Sequence, residues 1–379
     1  MEELVKSKKL TTSAVSLSVL FALAIPAFSS TASSAAIKPA AAVTAADVGG
    51  INALAAACKK EGQLNIIADP HDWANYGEII SGFKAKYKVK IDEANPNGSS
   101  QDEINAAVQL KGTKRAPDVF DLGQSVAYAN LDMLAPYKVI NWDKIPAALK
   151  APNGTLTKDY GGYMAVGYDS SLGSVSSLDD LLKPAFAGKV ALNGDPTKAN
   201  AALHGVLLAA LLNGGSTKDI SAGVTWFKKL KDAGNFINVD PSPATIASGQ
   251  TPVVFDWDYN QAAIVTQMAA KGVTWKVWIP ANQIVGSYYN QAVNADAPHP
   301  ACARLWMEYV YSAVGQAAWL KGGSRPVLMD YYLSKGQIDK KLAAALPVVK
   351  GTINVFSIAQ SKAASDYVAA NWAAAVGTR

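Results

Sequence analysis

The sequence predicts an α/β protein built as two units. Three observations carry this. Apolar β-type runs alternate with segments of helical period, the connections between them are short, and 379 residues, 50% of them hydrophobic and 17% charged, suffice for two medium cores. Short strand–helix–strand connections call for parallel sheets with helices on their faces.

Taken in order, the first 35 residues read as an export signal. KSKK is followed by the apolar LTTSAVSLSVLFALAIPAF and then by the small residues SSTASSAA. The continuously apolar part is shorter than the roughly 20 residues that span hydrocarbon, and no second such run follows. A secreted, periplasmic or cell-surface protein is the expectation. Residues 36–60 read as a linker, Ala-rich and without hydrophobic period from Lys38 to Gly50, and an N-terminal helix.

The first α/β series follows. LNIIAD (64–69) is a strand, Tyr76, Ile79, Ile80, Phe83 and Tyr87 fall at helical spacing, VKIDEA (89–94) is a strand, residues 100–111 a helix, and PDVFDLG (117–123) a strand. The second series runs through GYMAVGYDSS (162–171), a Ser-capped and Gly-ended short helix (177–188), and the strand KVALNGD (189–195). Two long helical stretches, the buried strand TPVVFDW (251–257), a helix and WKVWIP (275–280) complete it.

The formal charge is +5, of which residues 1–35 contribute +1 (three Lys, two Glu), leaving +4. With no basic run or stripe, nucleic acid is not an expected partner. Cys58 and Cys302 are either a disulfide or two buried thiols, since spacing does not show whether they approach within bonding range.

In an open α/β sheet a ligand sits beyond the carboxyl ends of the strands, on the loops leading into helices. DPHDWANY, DLGQS, NGDPTKA and DWDYN occupy that position, and all four are polar or aromatic.

SLDDLLKPAFAGKVAL, TPVVFDW and NQAVNADAPHPACARLWMEYVYSAVGQAAWLKGGSRPV resemble the solute-binding proteins of ABC importers, in the group that includes polyamine, ferric-iron and phosphonate binders. The resemblance covers about residues 62–330. It implies a two-lobe periplasmic-binding-protein fold, type II-like, each lobe a mostly parallel sheet flanked by helices and joined by extended hinge segments. Lobe 1 would comprise 61–160 and a return over 286–330, lobe 2 would span 161–285, and a C-terminal helical segment (331–379) would pack on lobe 2. Glycines near 161–167 and 286–289 would serve the hinges. Among these relatives the polyamine binders show the nearest local match: Trp73 and Tyr76 repeat their Trp-x-x-Tyr, and Asp195 stands where they place an ammonium-binding aspartate. The chain departs from them at Lys198 and Tyr289, where acidic residues are expected; Asp256 and Asp258 offer replacement charge.

Aromatic faces and carboxylates together suit an organic amine. The candidate ligand-binding residues are His71, Asp72, Trp73, Tyr76, Gln124, Ser125, Asp195, Asp256, Trp257, Asp258, Tyr288 and Tyr289, with Tyr259 beside them. Each ring is equally readable as core, and Asp258 as a helix N-cap. Asp118 and Asp121 read as structural, as do His204 and His299. A ferric-iron reading would use Tyr288, Tyr289, His71 and Asp69 or Asp72, but the iron relatives carry their tyrosine pair elsewhere. An anion or zwitterion such as 2-aminoethylphosphonate would use the helix starts in NGSSQ, GQS and NGDPT with Lys198 or Arg325. No GxSxG, P-loop or metal-ligand cluster is present, so the chain reads as a binder rather than an enzyme, without cofactor or resident metal. The expectation is a monomer that captures a small polar solute, foremost a polyamine or other organic amine, and hands it to a membrane ABC permease.

Overall fold

The computed structural model describes residues 37–377, so the export-signal expectation lies outside the described residues. Two 3₁₀ turns, Pro39–Ala41 and Ala45–Val48, precede α1 (Ile51–Glu61), β1 (Gln63–Ile67), α2 (Tyr76–Tyr87), β2 (Lys90–Ala94), α3 (Ser100–Gln109), β3 (Val119–Leu122), α4 (Gln124–Ala129) and β4 (Leu134–Ala135). Next come β5 (Thr157–Asp169), β6 (Val190–Leu192), α5 (Asn200–Leu212), α6 (Ser221–Asp232), α7 (Pro243–Ala247), β7 (Val253–Trp257), α8 (Asp258–Ala269) and β8 (Trp275–Trp278). The chain then continues through β9 (Gln283–Asn294), α9 (Pro300–Val310), α10 (Ala313–Lys321), β10 (Arg325–Pro326), α11 (Met329–Ser334), α12 (Lys340–Ala344), β11 (Thr352–Val355) and α13 (Ile358–Val376). Among the described residues, no helix is long and apolar enough to cross a membrane.

The local causes of these elements are plain. In α2, Tyr76, Ile79, Ile80 and Phe83 bury one face at i, i+3, i+4, i+7 spacing. Ser99 and Asp102 form a capping box that starts α3. The helix α5, NAALHGVLLAALL, has no polar stripe and is buried on nearly every side, packed against α6 and β7.

The sheets combine both strand senses. Parallel pairing joins β1 to β2, β6 to β7 and β11 to β9, while the long strands β5 and β9 run antiparallel to each other and to β3, β4, β7, β8 and β10 wherever these pair with them. The strand β5 exchanges partners along its length. Thr157–Tyr163 faces β9, and Met164–Asp169 faces β7 and β8. One strand therefore belongs to two sheet regions, with the exchange between Tyr163 and Met164. The glycines here serve close packing: a Cβ on Gly162 would stand 2.7 Å from Asp258 Oδ1 and 2.6 Å from the Tyr259 ring.

One terminal stretch differs from its sequence reading. The Ala-rich stretch read as a flexible linker is docked: Ala42, Ala45 and Val48 are buried, and the buried Arg304 donates from Nε to Ala42 O (2.8 Å) and from Nη2 to Ala40 O (2.9 Å). Short alanines let the backbone approach α9 closely enough for those bonds. At the other end, α13 packs on α6 but also on α4. Gln124 donates to Phe356 O and Ser361 Oγ, both at 2.9 Å, and Gln360 donates to Thr217 Oγ1 at 2.9 Å.

Cys58 and Cys302 form a disulfide that joins α1 to α9, with Cα atoms 4.4 Å apart and 244 residues between them in sequence. Closing so long a loop restricts the unfolded chain. Replacing both cysteines by serine is expected to lower unfolding free energy by about 2–4 kcal/mol. Denaturant titration of the purified protein measures this, and an unchanged midpoint would contradict it.

Candidate ligand-binding cleft

The loops after β1, β6 and β7 and the start of α3 meet around a cleft of about 580 Å³. That size falls within the range typical of small-molecule sites. The first loop, Ala68 to Asn75, is held in a costly backbone shape: Ala68, Ala74 and Asn75 all have positive φ (61°, 45° and 67°). The result is that Asp72 and Trp73 line the cleft.

Beneath Trp73 runs a hydrogen-bonded chain. Trp73 Nε1 donates to the Tyr160 hydroxyl (2.8 Å), which donates to Asp121 Oδ2 (2.7 Å); the Tyr76 hydroxyl donates to the same oxygen (2.9 Å) and accepts from Gln291 Nε2 (2.7 Å). Asp121 Oδ1 is buried and takes no N–H or hydroxyl donor, but the buried carboxyl of Asp159 hydrogen-bonds to the Asp121 side chain. Edge contacts of Trp73 with Tyr259 (6.0 Å) and Tyr289 (5.8 Å), and stacking of Tyr160 on Tyr289 (5.7 Å), make the floor aromatic.

Asp256, at the end of β7, faces the cleft from the other side. It accepts from Trp257 N (2.7 Å) and from Asn260 Nδ2 (3.1 Å to Oδ2). Burial pushes its carboxyl up to about 7, against the pull of those donors, and Asp72 across the cleft adds to the rise. Burial likewise raises Asp121 to about 6, with hydrogen bonds from the Tyr160 hydroxyl, the Asp159 carboxyl and the Tyr76 hydroxyl opposing. The neighbouring carboxyls of Asp69 and Glu103 are driven well above the usual range by burial and by Asp121. The lining holds seven carboxylates and one basic side chain, Lys198, whose Nζ lies 3.7 Å from Asp195 Oδ2.

Of the residues singled out from sequence, Asp72, Trp73, Asp195, Asp256 and Tyr289 line this cleft. Asp195 is partly committed to its own turn, accepting from Thr197 N (2.9 Å) and Oγ1 (2.8 Å). Tyr76 and Trp257 lie one layer below: Tyr76 holds Asp121, and Trp257 packs on His204 at 5.0 Å and reaches the Tyr289 hydroxyl at 3.4 Å. The others are elsewhere. His71 points to the surface and pairs with Glu93 at 2.6 Å, because the loop turns its neighbours inward instead. Gln124 anchors α13, and Ser125 lines a separate groove of about 100 Å³. Asp258, at the first position of α8, accepts from Tyr163 N (2.9 Å) and pairs with Arg325 (2.8 Å), which lies over the Tyr163 ring.

The proposed iron set does not assemble. Tyr288 and Tyr289 are successive residues of β9, so their rings leave opposite faces, and Lys158 covers Tyr288 at 5.6 Å. Among the described residues no group of three or more His, Cys, Asp or Glu side chains could hold a metal ion. His204 is buried within α5, and His299 is tied to Asp118 at 2.9 Å, both structural.

Several lining residues escaped the sequence reading. Asp121 looked like strand interior, yet it lines the cleft. Asn260 and Gln267 also line it with buried, unpartnered amide oxygens, and Asn200 with a buried amide beside the Tyr289 hydroxyl. One signal was available: α8 buries Asn260 and Gln261 while exposing Val265, a helix whose inner face is polar.

A family model described as bacterial extracellular solute-binding protein matches residues 119–345, more than half of the chain. Solved structures share the fold. The periplasmic binding protein AgtB from A. tumefacien R10, in complex with agropinic acid, aligns at 16% identity with a TM-score of 0.65, covering 83% of this chain and 98% of that one. AfuA from Actinobacillus pleuropneumoniae, with fructose-6-phosphate bound, aligns at 16% identity and TM-score 0.64 over 83% and 98%. A putative spermidine/putrescine ABC transporter protein from Listeria monocytogenes aligns at 12% identity and TM-score 0.62 over 82% and 98%. The two-lobe, type II periplasmic-binding-protein architecture accounts for the strand shared between two sheet regions and for a cleft between the loops. The chain belongs to the bacterial extracellular solute-binding protein family, and is the non-enzymatic component of an ABC importer that binds the solute.

Proposed function

We propose that the cleft captures a small organic amine, polyamines included, and that the protein acts as a monomer which closes on the solute and presents it to a membrane permease. The lobes are read as 61–160 with 286–330, and 161–285. The observation that carries the amine reading is the pair Asp121 and Asp256: two carboxyls buried in the cleft, with no basic side chain paired to either in the described residues. A bound ammonium would supply the missing charge and the donor that Asn260 Oδ1 lacks. Trp73 and Tyr289 would bound it with ring faces or edges, each face worth about 0.5–2 kcal/mol.

A second reading, a zwitterionic amine, is favoured by Asn200. It opens α5 opposite the start of α3, and its buried side-chain amide has the Tyr289 hydroxyl as a hydrogen-bond partner at the cleft floor. Backbone N–H groups at the two helix starts would favour an acidic group on the solute.

Calorimetry and thermal shift against putrescine, spermidine, 2-aminoethylphosphonate, ferric citrate, fructose-6-phosphate and amino acids test both readings. Stabilisation by amines is the expected result, and a response confined to iron or to sugar phosphate would overturn the proposal. Asp121→Asn and Asp256→Asn are each expected to weaken amine binding by roughly tenfold or more, the worth of a charged hydrogen bond. Because binding needs both carboxyls ionised, affinity should fall as pH drops through about 7 and about 6, and binding in that window should release protons to the buffer.

The unliganded protein should show the opposite dependence at Asp256. Its folded pKa lies above the unfolded value, so the folded state holds a proton that the unfolded chain gives up, and stability from this group declines as pH rises toward about 7. Thermal unfolding of Asp256→Asn relative to wild type, without ligand, should therefore move in favour of the variant as pH rises from about 4 to about 7 and level off above that. A pH-independent difference would show that burial does not perturb this group.

A further inference from the structure

Asn260, Ala263, Ile264 and Gln267 form one stripe of α8 along the cleft wall, at the i, i+3, i+4, i+7 spacing of a single helix face. The stripe is polar at its ends and apolar between. Asn260 gives its Nδ2 to Asp256, which fixes the amide's orientation and leaves Oδ1 buried without a partner. Gln267 Oε1 is also buried without a partner. In the middle, Ile264 packs with the buried Ile246 and Val254, which line the same cleft. Seven residues of α-helix separate the two amides by about 10 Å.

A buried acceptor that lacks a donor is costly, and two of them on one wall call for an explanation. Asn260 is explained by an ammonium at Asp256. Gln267 lies too far along the helix to meet that same group. A cleft of about 580 Å³ is also larger than one amine head requires.

We infer that the solute is elongated and two-headed: one amine at Asp121, Asp256 and Asn260, an apolar stem along Ala263 and Ile264, and a second hydrogen-bond-donating group at Gln267. This rests on the amine reading above and adds to it a length, a dry stem and a second head. The solute class is a long diamine, or an amine with a distal amide or hydroxyl.

The test compares octylamine with diaminooctane by calorimetry, on wild-type protein and on Gln267→Leu, with butylamine as a head-only probe. Gln267 is half-buried on an exposed helix edge, so leucine there keeps the helix intact. On wild type, diaminooctane should bind roughly ten- to a hundredfold more tightly than octylamine, the worth of a charged hydrogen bond, and Gln267→Leu should erase most of that difference. Equal affinities on wild type, or a difference that survives in Gln267→Leu, would overturn the second head and leave the amine reading standing. If butylamine, octylamine and diaminooctane all fail to bind, the amine reading itself fails and the inference falls with it.

Discussion

The burial of Asp121 is the constraint around which the cleft is arranged. Its Oδ2 collects the hydroxyls of Tyr76 from α2 and Tyr160 from β5, and through them Gln291 of β9 and Trp73 of the first loop. A carboxyl so far from water is tolerated because these donors satisfy one oxygen. The buried Asp159 carboxyl hydrogen-bonds to the same side chain. Glu103 accepts from the Asp121 backbone N–H (2.9 Å), so the start of α3 is held to the same point. Four elements and a loop are thus ordered about one side chain, and the aromatic floor follows from where that side chain holds its tyrosines.

The second anchor lies at the exchange point of β5. Asp258 takes the Tyr163 backbone N–H and the Arg325 guanidinium, and Arg325 lies 4.1 Å over the Tyr163 ring. The carboxylate is almost fully buried and the guanidinium nearly so, which makes each necessary to the other. Glycine at 162 is what allows Asp258 and Tyr259 to press against the strand there. Any rotation of one sheet region against the other must pass through this pair and through α13, whose first turn is bonded to Gln124 and to Thr217.

The same physics that makes the cleft selective makes it unstable when empty. Carboxyls raised by burial favour their neutral forms, and aligned amides leave acceptors without donors. Those are liabilities in an unliganded fold, and under the proposed amine reading they become assets on binding, because the ligand then adds the interactions that folding alone omitted. A binding protein gains from this arrangement, since the occupied state is stabilised in proportion to what the empty state lacks.

Periodicity made the strands and helices around the cleft legible from sequence, since burial of one face imposes a repeat that needs no partner to be seen. Strand-end position likewise marked the loops carrying Trp73, Asp195 and Asp256. What the residues alone left open was orientation. His71 and Trp73 share one loop, yet positive φ at Ala68, Ala74 and Asn75 sends one outward to Glu93 and the other into the cleft. Asp121 and Asp258 have the same chemistry, but only the tertiary structure gives Asp258 an arginine and Asp121 two tyrosine hydroxyls and a second carboxyl without any cation. Cys58 and Cys302 illustrate the same limit, because 244 residues of chain separate partners that only packing of α1 on α9 brings together. Sequence thus determined the α/β elements, the loops available to a ligand and the supply of carboxylates and rings. Which of those groups lack partners was decided by tertiary structure, because hydrogen bonds between distant residues depend on distances in space that local patterns do not encode.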